Sequence, residues 1–259
     1  MLSNKSANNL LYDNFFLDQT FNSPAMLAYS KKEIDWLTSY FNLAKQVEII
    51  DVACGPGRHL KAFVELGFNP TGIDASPECI RLAHENCPSI KDKIFEADFL
   101  SKDFVPNEFD LVLIAGISFG YDKSDDINQT LLEKLLLTTR KSGYLVIQYL
   151  NKLWAYSDIK NQKTFWNESK DMYVLDARIL ENDLLLSEKI FIFKNSAIQK
   201  KYSDVAYLYT DKSLLEKVSI LEKKHDIKFE LVSVYDSLIG NKYSETSSAS
   251  PVMILKRTN

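Results

Sequence analysis

Apolar positions along the chain change their period several times, and each change marks a new element. In KKEIDWLTSYFNLAK (residues 31–45), Ile34, Leu37, Phe41 and Leu43 recur near helical spacing with charges opposite, which predicts an amphipathic helix laid over a core. From residue 47, short apolar runs alternate with amphipathic stretches: VEIIDV, a helix from about 58, NPTGID, a helix from about 77, KIFEAD, FDLVLI, a helix from about 126, and GYLVIQYL. Strands joined by helix-length connections predict a parallel sheet with crossover helices. After Leu150 this alternation stops. YVLDARILEN, LLLSEKIFIFKN and the segment to Tyr209 read as strands parted by polar turns, which predicts an antiparallel insertion. DKSLLEKVSILEKKH returns to a helix with Asp211 as its predicted N-cap, and KFELVSVYD and PVMILKR supply two last strands, an antiparallel hairpin at the sheet edge.

Composition narrows the class of molecule. At 259 residues, 46% hydrophobic and 25% charged, the chain is an ordinary globular sequence long enough for one large α/β domain with a smaller lid. A net charge of −4 and a pI near 5.5 give no overall positive field for a phosphate backbone, which counts against a nucleic-acid partner. The basic pairs Lys200-Lys201 and Lys223-Lys224 lie near acids and read as solvated surface. No apolar run approaches the ~20 residues that cross a bilayer, and the amino terminus lacks a charged-then-apolar leader, so the expected location is the cytoplasm, with no membrane partner. Cys54, Cys79 and Cys87 have no CxxC spacing and are expected as reduced thiols, not as a disulfide framework or zinc site. His59, His84 and His225 likewise lack ligand-like spacing, and His59 reads as a helix-start residue.

IIDVACGPGRHL runs from a β-branched strand through a glycine turn into a helix, the setting in which backbone approaches a ligand closely at the carboxyl end of a sheet. Gly55 and Gly57 supply the turn. A dinucleotide site would prefer a third glycine where Leu60 stands. Asp74 closes the second strand in NPTGIDAS, where a carboxylate can accept from two ribose hydroxyls. Asp98 follows the third in IFEADF with Phe99 beside it. Asp51, Asp74 and Asp98 thus come at or near successive strand ends.

The series DVACGPGRH, GIDAS, EADF and FDLVLIAGISFGY resembles the motifs of class I S-adenosylmethionine-dependent methyltransferases over roughly residues 47–150. The resemblance implies a Rossmann-like, seven-stranded, mostly parallel sheet with helices on both faces and an antiparallel β insertion after the fifth strand. Residues 1–150 and 211–259 would form the S-adenosylmethionine-binding domain, and 151–210 a lid or acceptor subdomain. It also implies that Asp51 supports the loop and the methionine ammonium, that Ala53, Gly55 and Gly57 pack against the methionine portion, that Asp74 and Ala75 hold the ribose end, and that Asp98, Phe99 and Ala115 complete the adenosine site. Ala53 stands where the first of three glycines is common, a departure that puts one close backbone approach in question.

Methyl transfer from a sulfonium is an in-line displacement that needs orientation and proton removal, so the acceptor side can be chemically sparse. Tyr121, just past the fourth strand, and Tyr12, in LLYDNFF, are the candidate catalytic residues, with packing roles as the alternative for both. Phe15, Phe16, Trp154 and Trp166 could wall an acceptor pocket or fill the core. The chain has AGIS where base-amine methyltransferases carry an Asp/Asn/Ser-Pro-Pro-aromatic motif. The expected reaction is therefore methyl transfer to nitrogen or oxygen of a small metabolite. A tRNA, rRNA or protein methyltransferase, or a cofactor-binding module without chemistry, stands as the alternative, and the sequence sets no oligomeric state.

Overall fold

The structure, a computed structural model, describes Leu17, Phe21 and residues 23–101, 108–158, 162–167 (by backbone alone), 172–194 and 199–259. Tyr12, Phe15 and Phe16 lie outside the described residues, as does the side chain of Trp166.

Helix α1 (Pro24–Tyr40) starts upstream of the stretch that predicted it. Ser23 caps it, accepting from Met26 N at 3.3 Å, and Pro24 sits in the first turn, where a missing N–H costs nothing. β1 (Ile49–Val52), α2 (Arg58–Glu65), β2 (Thr71–Asp74), α3 (Pro77–Asn86), β3 (Ile94–Glu96), β4 (Phe109–Phe119), α4 (Asp125–Thr138) and β5 (Thr139–Tyr149) then alternate as the apolar pattern predicts. After β5 come a short helix α5 (Lys152–Asp158) and strands β6 (Gln162–Asn167), β7 (Met172–Glu181), β8 (Leu184–Phe193) and β9 (Gln199–Tyr207), followed by α6 (Asp211–His225), β10 (Phe229–Tyr235) and β11 (Val252–Arg257). The cap of α6 is Thr210, not Asp211. Thr210 and Ser213 close a reciprocal capping box at 3.0 Å each way, which leaves Asp211 at the first helical position.

Seven strands form one sheet in the order β10-β11-β5-β4-β1-β2-β3. β1, β2, β3, β4 and β5 pair in parallel, whereas β11 runs antiparallel between β5 and β10. The central strands are buried on both faces, which explains their unbroken apolar runs. On one face, Ile34 and Leu37 of α1 and Phe63 of α2 pack on Leu113, Val146 and Ile254. On the other, Leu132 and Leu136 of α4 and Leu214 and Val218 of α6 pack on Ile50, Val112 and Leu145. Each such side chain contributes about 1.5–3 kcal/mol.

The insertion is a separate four-stranded sheet, β6-β7-β8-β9, antiparallel throughout. The sequence pattern shows three of its strands. β6 and α5 escape because six or seven residues are too few to display a period. Its two ends meet: Asn151 bridges Tyr209, Lys152 N donates to Tyr209 O at 2.8 Å, and Tyr209 N donates to Leu150 O at 3.0 Å. Tyr207 N donates to Gly120 O at 2.6 Å, tying β9 to the end of β4. No helix among the described residues is long and apolar enough to cross a membrane.

Candidate active site

Below the carboxyl ends of β1, β2 and β4 lies a cavity of about 770 Å³, roofed by the inner face of the antiparallel sheet. The β1–α2 loop forms its floor. Gly55 takes φ +56°, and a Cβ there would meet nothing within 4 Å among the described residues, so the glycine leaves open space on the cavity side. Ala53 adopts φ +57°, a left-handed conformation that costs an alanine about 1 kcal/mol, and it lines the same cavity. Gly57 serves another purpose. Its φ is +82°, but a Cβ would lie 3.2 Å from Ala83 Cβ, and it is absent from the cavity wall. It lets α2 pack closely on α3.

Asp74 ends β2 at the cavity, where Oδ2 accepts from Gly55 N and Oδ1 from Ser76 N, both at 2.9 Å. Burial raises its carboxyl, against the backbone donors of Ser76, Gly55 and Ala75. Each oxygen keeps a second lone pair for a hydroxyl. Ala75 and Ala115 also line the cavity. Asp98 and Phe99 do not. Asp98 is exposed and caps its own turn by accepting from Leu100 N at 2.9 Å, while Phe99 is buried in the core with Ile50, Ile73 and Val112. The apolar underside of the sheet takes the Phe99 ring.

A buried charge cluster supports the loop. Arg58 Nη1 donates to Ser30 Oγ and Glu33 Oε2, both at 2.7 Å, and His59 Nε2 lies 2.9 Å from Glu33 Oε2. Burial alone would raise Glu33, but its bonds to His59 and Arg58 hold it below the usual range. His59 is pushed down to about 4 by burial and by the Arg58 charge, so its imidazole is neutral. Asp51, 1% exposed, is pushed up to about 7 by burial, opposed by Arg58 and reinforced by Asp74 and Glu33. Among the described residues its Oδ2 has no hydrogen-bond partner, and it stands 3.9 Å from His59 Nδ1. The sequence offered no sign of Glu33, and His59 is a wall residue as well as a helix start.

β4 breaks where it meets the cavity. Its register with β5 jumps from Ile114↔Ile147 to Phe119↔Tyr149, and Gly116 and Ile117 both take positive φ, +68° and +65°. Left-handed geometry in a β-branched residue is a true outlier of the kind that clusters at functional sites. Buried Gln148 fills the kink, accepting from Gly116 N at 2.9 Å and donating to Ser250 O at 3.3 Å. The bend carries Ala115, Gly116, Ile117, Ser118 and Tyr121 along the cavity wall.

Tyr121 also lines a second cavity of about 680 Å³, which lies between α4 and the antiparallel sheet. Ser118, Tyr121, Ser187 and Asp204 belong to both. Asp204, which the sequence did not single out, is raised by burial and hydrogen-bonds to Val205 N and to the Tyr121 side chain. Trp154 lines the first cavity. Cys54, Cys79 and Cys87 are free and buried, and no cluster of three or more metal-ligating side chains occurs among the described residues.

Residues 49–143 match the protein family described as "Methyltransferase domain". The chain is 26% identical over 133 residues to a putative methyltransferase YqeM of Bacillus subtilis, covering 51% of this chain and 53% of that protein. It is 32% identical over 130 residues to glycine N-methyltransferase of Rattus norvegicus, covering 45% and 44%. The chain thus spans about half the length of these curated relatives. In fold, it superposes on the S-adenosylmethionine-bound amino pentose methyltransferase CalS10 of Micromonospora echinaspora with a TM-score of 0.68 at 15% identity, over 96% of this chain and 99% of that one.

Proposed function

We propose that this chain, a class I methyltransferase by the domain it carries in residues 49–143 and by its fold, transfers the methyl group of S-adenosylmethionine to nitrogen or oxygen of a small metabolite. One observation carries this reading: a single cavity has a glycine loop and Asp74, suited to the cofactor, at one end and a tyrosine–carboxylate pair at the other.

The residues present fit the cofactor. Gly55 leaves a cradle that a Cβ would occupy, and Asp74 keeps lone pairs for ribose hydroxyls. When bound, S-adenosylmethionine supplies an electron-poor methyl group on a sulfonium. At the far end, the Tyr121 hydroxyl orients the nucleophile, and the Asp204 carboxylate takes the proton the nucleophile sheds. The inner sheet face and Trp154 wall the acceptor end of the cavity. The amine and amino-sugar acceptors in the names of the relatives agree with a small acceptor, and the net charge of −4 offers no field for RNA.

Calorimetric titration with S-adenosylmethionine, S-adenosylhomocysteine and NADH tests the cofactor first. The first two should bind at micromolar concentration and NADH should not; binding of NADH instead would overturn the assignment. Amine and hydroxyl metabolites then become the panel for methylation.

A further inference from the structure

The inserted sheet is a wall between two cavities. Successive side chains of a strand point to opposite faces, and here they sort between the two spaces. Arg178 of β7, Leu185, Ser187 and Lys189 of β8, and Tyr202 and Asp204 of β9 line the first cavity. Their neighbours Ala177 and Ile179, Leu186 and Glu188, and Ser203 and Val205 line the second. Ser187 and Asp204 break the rule. These cross-strand partners line both cavities, as do Ser118 at the end of β4 and Tyr121 just after it. The two spaces therefore meet where Tyr121 hydrogen-bonds Asp204.

The second cavity, about 680 Å³, has room for a drug-sized body. Ile127 and Leu131 line it from α4, and Ile179, Leu186 and Val205 from the sheet. Ile127 and Ile179 are 40% and 63% exposed, apolar side chains that a ligand would cover. Among the described lining residues the charges are Asp122, Glu188 and Asp204 against Lys123. Glu188 pairs with Lys201, which leaves Asp122 and Asp204 for a cation. A phosphate or carboxylate would meet those two acids instead, a like-charge contact that costs affinity.

We infer that the second cavity holds the body of the methyl acceptor, an amine on an apolar chain or ring system, whose nitrogen reaches the cofactor side through the opening at Tyr121 and Asp204. The inference rests on the methyltransferase reading above and narrows its acceptor to an amphipathic amine. The ammonium gives one proton to Asp204. Its freed lone pair then forms the nitrogen–carbon bond as the bond from methyl to sulfur breaks, leaving S-adenosylhomocysteine and a methylated ammonium.

Dansylcadaverine, an aromatic body on a pentylamine chain, and dansyl-ε-aminocaproate, its chain-matched carboxylate, probe this cleft by fluorescence titration in saturating S-adenosylhomocysteine. Wild type should bind the amine at least tenfold more tightly than the carboxylate. The double variant Ile127→Ser, Ile179→Ser changes two exposed positions and should weaken the amine at least tenfold. Asp204→Asn should cut the advantage of the amine about tenfold without weakening the carboxylate. Calorimetry with S-adenosylhomocysteine alone should match wild type within twofold in every variant, which reports an intact fold. Equal binding of the two probes, or a double variant that binds the amine as wild type does, would overturn the inference. So would a loss of the amine in Trp154→Ala with none in the double variant, since the body would then lie in the first cavity. A wild type that takes the amine but not S-adenosylhomocysteine would support the cleft as an amine site and overturn the cofactor reading instead.

Discussion

Gly55 and Gly57 are two residues apart, both left-handed, and serve different ends. At Gly57 an added methyl would press on the Ala83 Cβ and backbone at 3.2 and 3.3 Å, so Gly57→Ala should lower unfolding free energy by about 2–4 kcal/mol in urea titration. Gly55→Ala meets no atom of the described residues within 4 Å; it should cost only about 1 kcal/mol of stability, yet weaken S-adenosylhomocysteine at least tenfold in calorimetry by filling the cavity. If both variants lost stability equally, the division of labour would be wrong. Asp51 offers a pH test. Its carboxyl, held near 7 in the fold against an ordinary 3.8, binds its proton more tightly folded than unfolded. It therefore costs stability once pH rises past 3.8, and costs fully above about 7. Asn carries no such penalty, so the melting temperature of Asp51→Asn minus that of wild type should grow by several degrees between pH 5 and 8. A difference independent of pH would show that Asp51 is not raised. None of this was readable from the sequence: a strand-end aspartate and a GxG look alike whether they touch a ligand or a neighbouring helix, because Ala83 and Glu33 come from distant segments.

At the scale of elements, the strands and crossover helices of the parallel sheet were legible because burial on both faces leaves long apolar runs in β1, β4 and β5. The kink in β4 was not. FDLVLIAGISF reads as one apolar run, and only the pairing shows that Ala115, Gly116, Ile117 and Ser118 leave the register. Gln148 holds that bend by filling the gap opposite it. Gln148→Leu would strand the Gly116 N–H and should cost about 1–3 kcal/mol in denaturant unfolding, with turnover falling further than cofactor affinity because the bend carries the path to Tyr121. Unchanged stability would mean that water replaces the amide. Asp98 and Phe99 show the opposite limit of motif reading: the residue types match the expected series, yet the turn after β3 directs the ring into the core.

Across the whole molecule, the cofactor half and the antiparallel sheet contribute to one cavity, and a second cavity joins it at Tyr121 and Asp204. The insertion was visible in the sequence as a change of period, but Asp204 was not, since a polar residue in an alternating strand looks the same on either face. Asp204→Asn should lower turnover by a factor of about 10² while leaving S-adenosylhomocysteine affinity within twofold. Because burial raises this carboxyl, wild-type turnover should climb with pH as Asp204 loses its proton, and the variant should lose that limb. Weakened cofactor binding in the variant would make Asp204 a structural residue.

The joint at Asn151 and Tyr209, where both ends of the inserted sheet return to one point, has a practical meaning. A segment that leaves and re-enters a domain side by side can be exchanged much as a domain is inserted, without stretching the host chain. Grafting a relative's insertion between these two residues, with a backbone tie to Gly120 kept at the position of Tyr207, would replace one wall of the cavity and leave the β1–α2 loop and Asp74 as they are.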